Sequence, residues 1–323
     1  MRTGIVLLLA ACHGSTMADL TPDAGVAPDA ARPVDAAPPK GPFPIVLAHG
    51  LFGFDKLGPL DYFYGIHDAL VAQGRQVYAP RVDAVQSAEI RGAQLVTAIE
   101  MFRAETGAAK VVVIGHSQGG LDARWAAAHD PDTIAAVVTV ATPHRGSPVA
   151  DVASDILPGD SSDALNALAD FFGLATDGSS SSFSGALHSL TSDGAAAFNA
   201  ATPDVPGMPY FSIAGRSALA GSGACPAGAV PFMTTWDDEI DPLKLEILPV
   251  AGILAAASLP DTPTHDGLVT VESATWGTFL GCVPADHLDE VCQIAGQSPG
   301  LGNGFDCLGM WRGLEAFLRA QDL

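Results

Sequence analysis

Positive charge is scarce in this sequence. Only 15 Lys and Arg stand against 36 Asp and Glu among 323 residues, a formal charge of −21. Phosphate binding needs a basic face, so this balance argues against nucleic acid as a partner. It argues equally against docking on anionic membranes by charge alone. Charged residues of both signs make up 16%, against 48% hydrophobic residues, which excludes wholesale disorder. Near the start the apolar run Ile5–Ala11 is far too short to span a bilayer. Internal repeats are lacking as well. The length permits two domains or one large one, and is ample for a sizeable core. Five cysteines is an odd number, which in an exported chain leaves one residue to explain.

The first forty residues are not fold. Met1–Cys12 carries one basic residue, Arg2, ahead of a short apolar run, which is the layout of an export signal. Its end, Leu9-Ala10-Ala11-Cys12, resembles a bacterial lipobox, in which the cysteine is acylated and becomes the new N-terminus. Cys12 is therefore the expected lipid anchor, with cleavage after Ala18 as the alternative. Residues 13–40 contain Pro22, Pro28, Pro33, Pro38 and Pro39 among Ala, Asp and Gly, with no apolar periodicity. That composition predicts an extended, solvated tether. The expected organisation is an export signal over 1–12, a tether over 13–40 and a folded body over 41–323. The expected location is the outer membrane or cell surface as a lipoprotein, or secretion as a free protein. The body holds 32 acids against 12 bases, so the acidity belongs to it rather than to the tail.

Within the body, strand and helix patterns alternate. Phe43–Ala48, Val77–Pro80, Lys110–Ile114 and Ile134–Ala141 read as strands, and Met208–Ala214 and Leu268–Val271 as weaker ones. Ser87–Glu105 has Ile90, Leu95, Ile99 and Phe102 at helical spacing. Gln118–His129 is a second helix, stopped by Pro131, and a third spans about Met310–Arg319. This order predicts an α/β fold with a mostly parallel sheet covered on both faces.

Gly115-His116-Ser117-Gln118-Gly119 fits G-x-S-x-G, and it sits between a strand and a helix as a nucleophile elbow requires. The turn lifts the Ser117 hydroxyl above the sheet, and the Gln118 N–H can point at a developing oxyanion. A serine needs a positioned histidine to take its proton. In this architecture the chain order is serine, acid, histidine. Downstream of Ser117 lie His129, His144, His188, His265 and His287, of which only the last two come late enough to follow a further strand. With Asp266 as the acid, His287 remains, although a surface histidine in an acidic loop has the same local sequence. His49, His116, His129 and His144 read as hydrogen-bonding or packing residues. The second oxyanion donor belongs in the loop after the first strand, His49-Gly50-Leu51-Phe52-Gly53, where the Leu51 N–H is the candidate.

Taken together these segments resemble the bacterial family I lipases, the foldase-dependent, calcium-binding true lipases of the α/β-hydrolase superfamily. The resemblance covers Gly41–Leu323 and is carried by Pro44–Asp55, Val113–Gly120, Ala141–Ser147, Asp266–Val269 and His287–Gln293. It implies a Ser117–Asp266–His287 triad with Leu51 and Gln118 as oxyanion donors, acting on triacylglycerol or another ester at a lipid–water interface. It also implies one structural Ca²⁺ held by Asp241, Asp289 and the carbonyls of Gln293 and Gln297, clamping the loop that carries His287. A separately encoded foldase is the implied partner, and the membrane is reached through the N-terminal anchor. The family's single disulfide would join the region of Cys225 to the position six residues after the acid, but Glu272 stands there. Four cysteines remain after Cys12, allowing three pairings, and Cys225–Cys282 with Cys292–Cys307 is the expected one. Roughly sixty residues separate the strand ending at Ala141 from the next, too many for a plain loop. Their resembled role is a lid over about 150–200, with a helix at Asp163–Ala175 whose Leu165, Leu168, Phe171 and Phe172 share a face. A carboxylesterase or polyester hydrolase would use the same triad, and a surface-anchored binding protein without catalysis is the rival of another class.

Overall fold

The computed structural model describes residues 41–53, 56–57, 60–156, 180–217, 225–226, 229–239, 264–293, 296 and 303–323, all within the unit Pro39–Leu323. The export signal, Cys12, the tether, the lid helix 163–175, Asp241 and Gln297 lie outside the described residues.

In chain order the described elements are β1 (Ile45–Ala48), the short ribbon β2 (Lys56–Leu57) and β3 (Leu60–Asp61), α1 (Ile66–Ala72), β4 (Val77–Tyr78), α2 (Ala88–Thr106), β5 (Val111–His116), α3 (Gln118–His129), β6 (Ile134–Val140), α4 (Pro148–Ile156), α5 (Ser180–Leu190), α6 (Ser192–Ala201), β7 (Tyr210–Gly215), α7 (Val271–Ala274), β8 (Thr278–Val283) and α8 (Cys307–Ala320). Six strands form one sheet in the order β4-β1-β5-β6-β7-β8, and every pairing is parallel. Successive side chains of a strand point to opposite faces, so a sheet covered twice needs apolar residues at every position. β1 and β5 show this. Ile45, Leu47, Val112 and Ile114 pack with Ile66 and Leu70 of α1 and Trp311 and Leu314 of α8. Val46, Ala48, Val111 and Val113 pack on the other face with Leu95 and Ile99 of α2 and Ala123 and Ala126 of α3. The fold is the expected α/β-hydrolase fold, and no described helix is long and apolar enough to cross a membrane.

Two readings of the sequence are corrected. Leu268–Val271 is not a strand. The Asp266 carboxylate accepts the N–H groups of Leu268 and Val269, which bends the chain into a turn, and Val271 opens α7. The sheet's last strand is instead β8, ten residues further on. Ile90 is 46% exposed, and the inner face of α2 is Ala88, Arg91, Gly92, Leu95 and Ile99. The long segment between β6 and β7 is helical at both ends, through α4 before it and α5 and α6 after it.

Both expected disulfides are formed, Cys225–Cys282 and Cys292–Cys307. The first reaches β8, while Glu272 points to solvent from α7. The two ends of the folded body are tied by Arg75, buried, which donates to Glu315 Oε1, Phe43 O and Leu323 O.

Candidate active site

Each candidate residue follows the carboxyl end of a strand, the edge at which open parallel sheets gather their ligands. Ser117 comes directly after β5 and opens α3. Its φ of 56° and ψ of −129° are costly for a residue with a Cβ. The neighbours enforce this backbone. A Cβ on Gly115 would lie 2.3 Å from Gly119 O, and one on Gly119 would lie 2.2 Å from Ala48 O. Ser117 N donates to Val140 O at 2.9 Å, which pins the turn to β6.

Asp266 is far from β7 in sequence but not in space. Ser217 N, two residues past β7, donates to His265 O at 2.7 Å, so the chain leaves the sheet and returns to it at one bridge. The Asp266 Oδ1 accepts Leu268 N at 2.8 Å and Val269 N at 2.6 Å, leaving Oδ2 for another partner. Ser147, in the loop after β6, holds this turn by donating its hydroxyl to Leu268 O at 2.6 Å. Arg145 in the same loop donates to Glu272 O and Thr275 O, both at 2.7 Å.

His287 follows β8, and its N–H donates to Asp266 O at 3.0 Å. The ring Nδ1 lies 2.7 Å from Asp266 Oδ2, and Nε2 lies 2.9 Å from Ser117 Oγ. All three residues are buried. With the proton on Nδ1 facing the carboxylate, Nε2 is a base aimed at the serine hydroxyl. The structure thus brings Ser117, Asp266 and His287 into one hydrogen-bonded line.

The loop after β1 closes over this line. A Cβ on Gly50 would meet Ser117 Cβ at 2.7 Å. Gly53 N donates to Gly50 O at 3.1 Å and Phe52 N to Ala84 O at 2.9 Å, so Leu51 sits at the tip of a tight turn. Gln118 is the first residue of α3, where a helix has N–H groups without intrahelical acceptors. Under the loop lies Arg91, fully buried. It donates to Asp122 Oδ2 at 2.8 Å, to Asp83 O at 2.9 Å and to His49 O. Burial, and then the Arg91 charge, push His49 down to about 3, so it is neutral, with Nε2 accepting Val82 N at 3.3 Å.

Sequence reasoning missed this support. Its one readable signal is Arg91, a charge in the apolar stripe of α2, where only a paired group is tolerated. Of the four histidines read as non-catalytic, His116 meets Tyr62 and the face of His287, while His144 meets Arg124 and Trp276. His49, the first residue of the loop after β1, meets Gly50 O and Val82 N, and His129 stacks on Trp125.

Two of the expected calcium ligands are described. Asp289 is buried in the 3₁₀ turn Asp289–Val291 just after His287, and Gln293 follows it, with its side chain donating to Asp61 O and Tyr62 O. Asp286, Asp289 and Glu290 put three buried carboxyl groups within five residues; Asp286 accepts the N–H groups of Leu288 and Asp289, and Glu290 faces His116. A different set, His116, His287 and Glu290, brings one ligand atom from each within 4.8 Å and is a possible metal site. Its two imidazoles suit a transition metal rather than calcium.

Residues 44–211 match the family model described as alpha/beta hydrolase fold. The chain is 35% identical over 268 residues to the triacylglycerol lipase of Vibrio cholerae, spanning 79% of this chain and 81% of that one. It is 34% identical over 277 residues to the triacylglycerol lipase of Pseudomonas fragi, spanning 78% and 89%. Among solved structures it is similar in fold to a metagenomic carboxyl esterase, with a TM-score of 0.59 at 23% identity over 91% of this chain and 80% of that one.

Proposed function

The chain belongs to the α/β-hydrolase family, and we propose that within it this protein is a serine carboxylester hydrolase acting on triacylglycerols. The observation that carries the reading is the line Asp266 Oδ2–His287 Nδ1 at 2.7 Å and His287 Nε2–Ser117 Oγ at 2.9 Å. Curated relatives named as triacylglycerol lipases support the substrate class.

In this reading Ser117 Oγ attacks the ester carbonyl while His287 Nε2 takes its proton. The Asp266 carboxylate holds the imidazole in the productive tautomer and offsets its positive charge. The N–H groups of Leu51 and Gln118 receive the oxyanion, a contribution of about a hundredfold or more per donor. His287 returns the proton to the leaving alcohol, and then activates a water that releases the fatty acid from Ser117. Burial of the triad keeps these charges out of bulk water, where they would be weaker.

The finer assignments belong to the same proposal. The chain is a family I lipase of the calcium-binding subtype, with Asp289 and the Gln293 carbonyl holding the ion together with Asp241 and Gln297. When bound, the ion supplies countercharge to the acidic turn and holds the His287 loop in place. The segment over about 150–200 covers the site and yields at a lipid surface. Cys12 anchors an exported lipoprotein, and a dedicated foldase assists folding.

The test is Ser117→Ala together with a graded ester series, with and without a calcium chelator. Loss of nearly all hydrolysis in the variant, and faster turnover of emulsified long-chain than of soluble short-chain esters by the native enzyme, are expected. Retained hydrolysis by Ser117→Ala would end the triad assignment. A melting temperature and rate indifferent to chelation would end the calcium assignment.

A further inference from the structure

Beside the triad runs a second line of polar groups that the proposed chemistry does not use. Gly50 N donates to Tyr62 Oη at 3.0 Å. The same phenol oxygen lies 2.7 Å from His116 Nδ1. His116 Nε2 lies 3.4 Å from Glu290 Oε2, and both side chains are fully buried. The His116 ring also rests on His287, with centroids 4.7 Å apart. Four segments meet here: the loop after β1, the turn before α1, the end of β5 and the turn after β8.

The protons can be assigned along this line. In the dry interior a bare nitrogen lone pair facing a carboxylate is repelled, so the His116 proton sits on Nε2 toward Glu290. His116 Nδ1 is then an acceptor. Tyr62 has one proton to give and lone pairs to receive with. It gives that proton to His116 Nδ1 and receives the Gly50 N–H.

The backbone geometry turns this into a consequence for catalysis. Gly50 has the widest conformational freedom of any residue, so its orientation must be imposed from outside. Tyr62 holds its N–H, while Gly53 N at 3.1 Å and His49 Nδ1 at 3.0 Å hold its carbonyl. Across the planar trans peptide, fixing the Gly50 carbonyl fixes the opposite direction of the Leu51 N–H. The far end of the tie is His116, which immediately precedes Ser117 and lies two residues before Gln118. The phenol therefore joins the two loops that carry the two oxyanion donors.

We propose that Tyr62 is a positioning residue of the oxyanion hole, setting the Leu51 N–H against the Gln118 N–H through the tie Gly50–Tyr62–His116. This rests on the serine hydrolase reading above. In this role Tyr62 acts through the backbone it holds.

Tyr62→Phe keeps the ring and removes only the oxygen. The expected kcat falls about tenfold to a hundredfold, less than loss of a whole donor, while KM stays within about twofold. A trifluoromethyl ketone becomes an oxyanion only after Ser117 adds to it. Its affinity for the variant is expected to fall by the same factor as kcat/KM, with the melting temperature nearly unchanged. In the native protein, imidazole ¹⁵N NMR is expected to find His116 protonated on Nε2. Native kcat and ketone affinity in Tyr62→Phe would overturn the proposal, as would a lowered kcat with undiminished ketone affinity. So would a His116 proton on Nδ1, which also decides the matter if the variant does not fold. Ser117→Ala separates this from the reading beneath it: hydrolysis that survives there refutes the hydrolase mechanism, whereas its loss beside an unaffected Tyr62→Phe refutes only the positioning role.

Discussion

Mild acid should destabilise this protein through its buried neutral histidines. His49 is buried, and its pKa falls from 6.5 to about 3 because burial and the Arg91 charge oppose a second proton. Its Nδ1 lies 3.0 Å from Gly50 O and its Nε2 accepts Val82 N, so the neutral ring already uses both nitrogens. His144 is held well below 6.5 by burial, then by Arg124 and Arg145, and His116 by burial, then by His287. In the unfolded chain all three take up protons below about 6.5. The unfolded state then binds more protons than the folded one, so stability is complete above that pH and is lost as pH falls toward the depressed folded values. Between pH 7.5 and 5.5 each ring that stays neutral contributes a loss of about 1.4 kcal/mol. Three rings give about 4 kcal/mol, a large part of the 5–15 kcal/mol typical of a domain, and Asp122, whose carboxyl is pushed up to about 7 by burial, offsets part of this by taking up a proton in the folded state. Urea unfolding at constant ionic strength measures it, as a midpoint at pH 5.5 well below that at pH 7.5 with the slope m unchanged. Equal or greater stability at pH 5.5 would refute the neutral-histidine assignment. Reduced self-repulsion of a chain at −21 works in the opposite direction and cannot produce the expected loss.

Three further outcomes probe the site's construction. Asp266→Asn keeps an acceptor for Leu268 N and Val269 N, so its melting temperature should stay close to native while kcat drops about ten thousandfold through the wrong histidine tautomer; equal losses of both would mean that the residue is only structural. Gly119→Ala drives a Cβ to within 2.2 Å of Ala48 O, a backbone atom that cannot swing aside. Calorimetry should find about 1–3 kcal/mol of destabilisation, with activity reduced further because the elbow is displaced; a variant as stable and active as native would refute the close approach. Cys307→Ser opens the 15-residue loop closed by Cys292–Cys307. About 3 kcal/mol should be lost in chemical unfolding, and an unchanged midpoint would show that the bridge contributes nothing.

The parts of this fold legible in the sequence are those with a local cause. β5 is a continuous apolar run, α3 begins where the serine turn ends and stops before Pro131, and β1 reads directly from Ile45–Ala48. Leu268–Val271 misleads because its β-branched residues satisfy strand propensity, while the deciding interaction is a side chain, Asp266, capturing two backbone N–H groups. β8 is hidden by Gly281, whose missing Cβ lets Met233 and Ala229 pack closely on a strand that composition would weaken. Ser117, Asp266 and His287 were readable as candidates by order along the chain, but their meeting depends on loops far apart in sequence. Tyr62 gave no signal at all, since its partner His116 is 54 residues away and neither stands in a pattern.

The bridge between Ser217 and His265 has a further consequence. It holds His265, and with it the neighbouring acid, against the chain two residues past β7, so one backbone contact brings the acid to the end of the sheet. Closing a longer loop is inexpensive, about 0.6 kcal/mol for each doubling. The excursion between Ser217 and His265 is, however, fastened elsewhere as well: Cys225 bridges to Cys282 of β8, Met233 is buried in the core, and Arg216 donates to Trp236 O and Asp237 O. Directed evolution of ester preference therefore has to keep Cys225, Met233 and the Ser217–His265 bridge, and to place its insertions clear of all three.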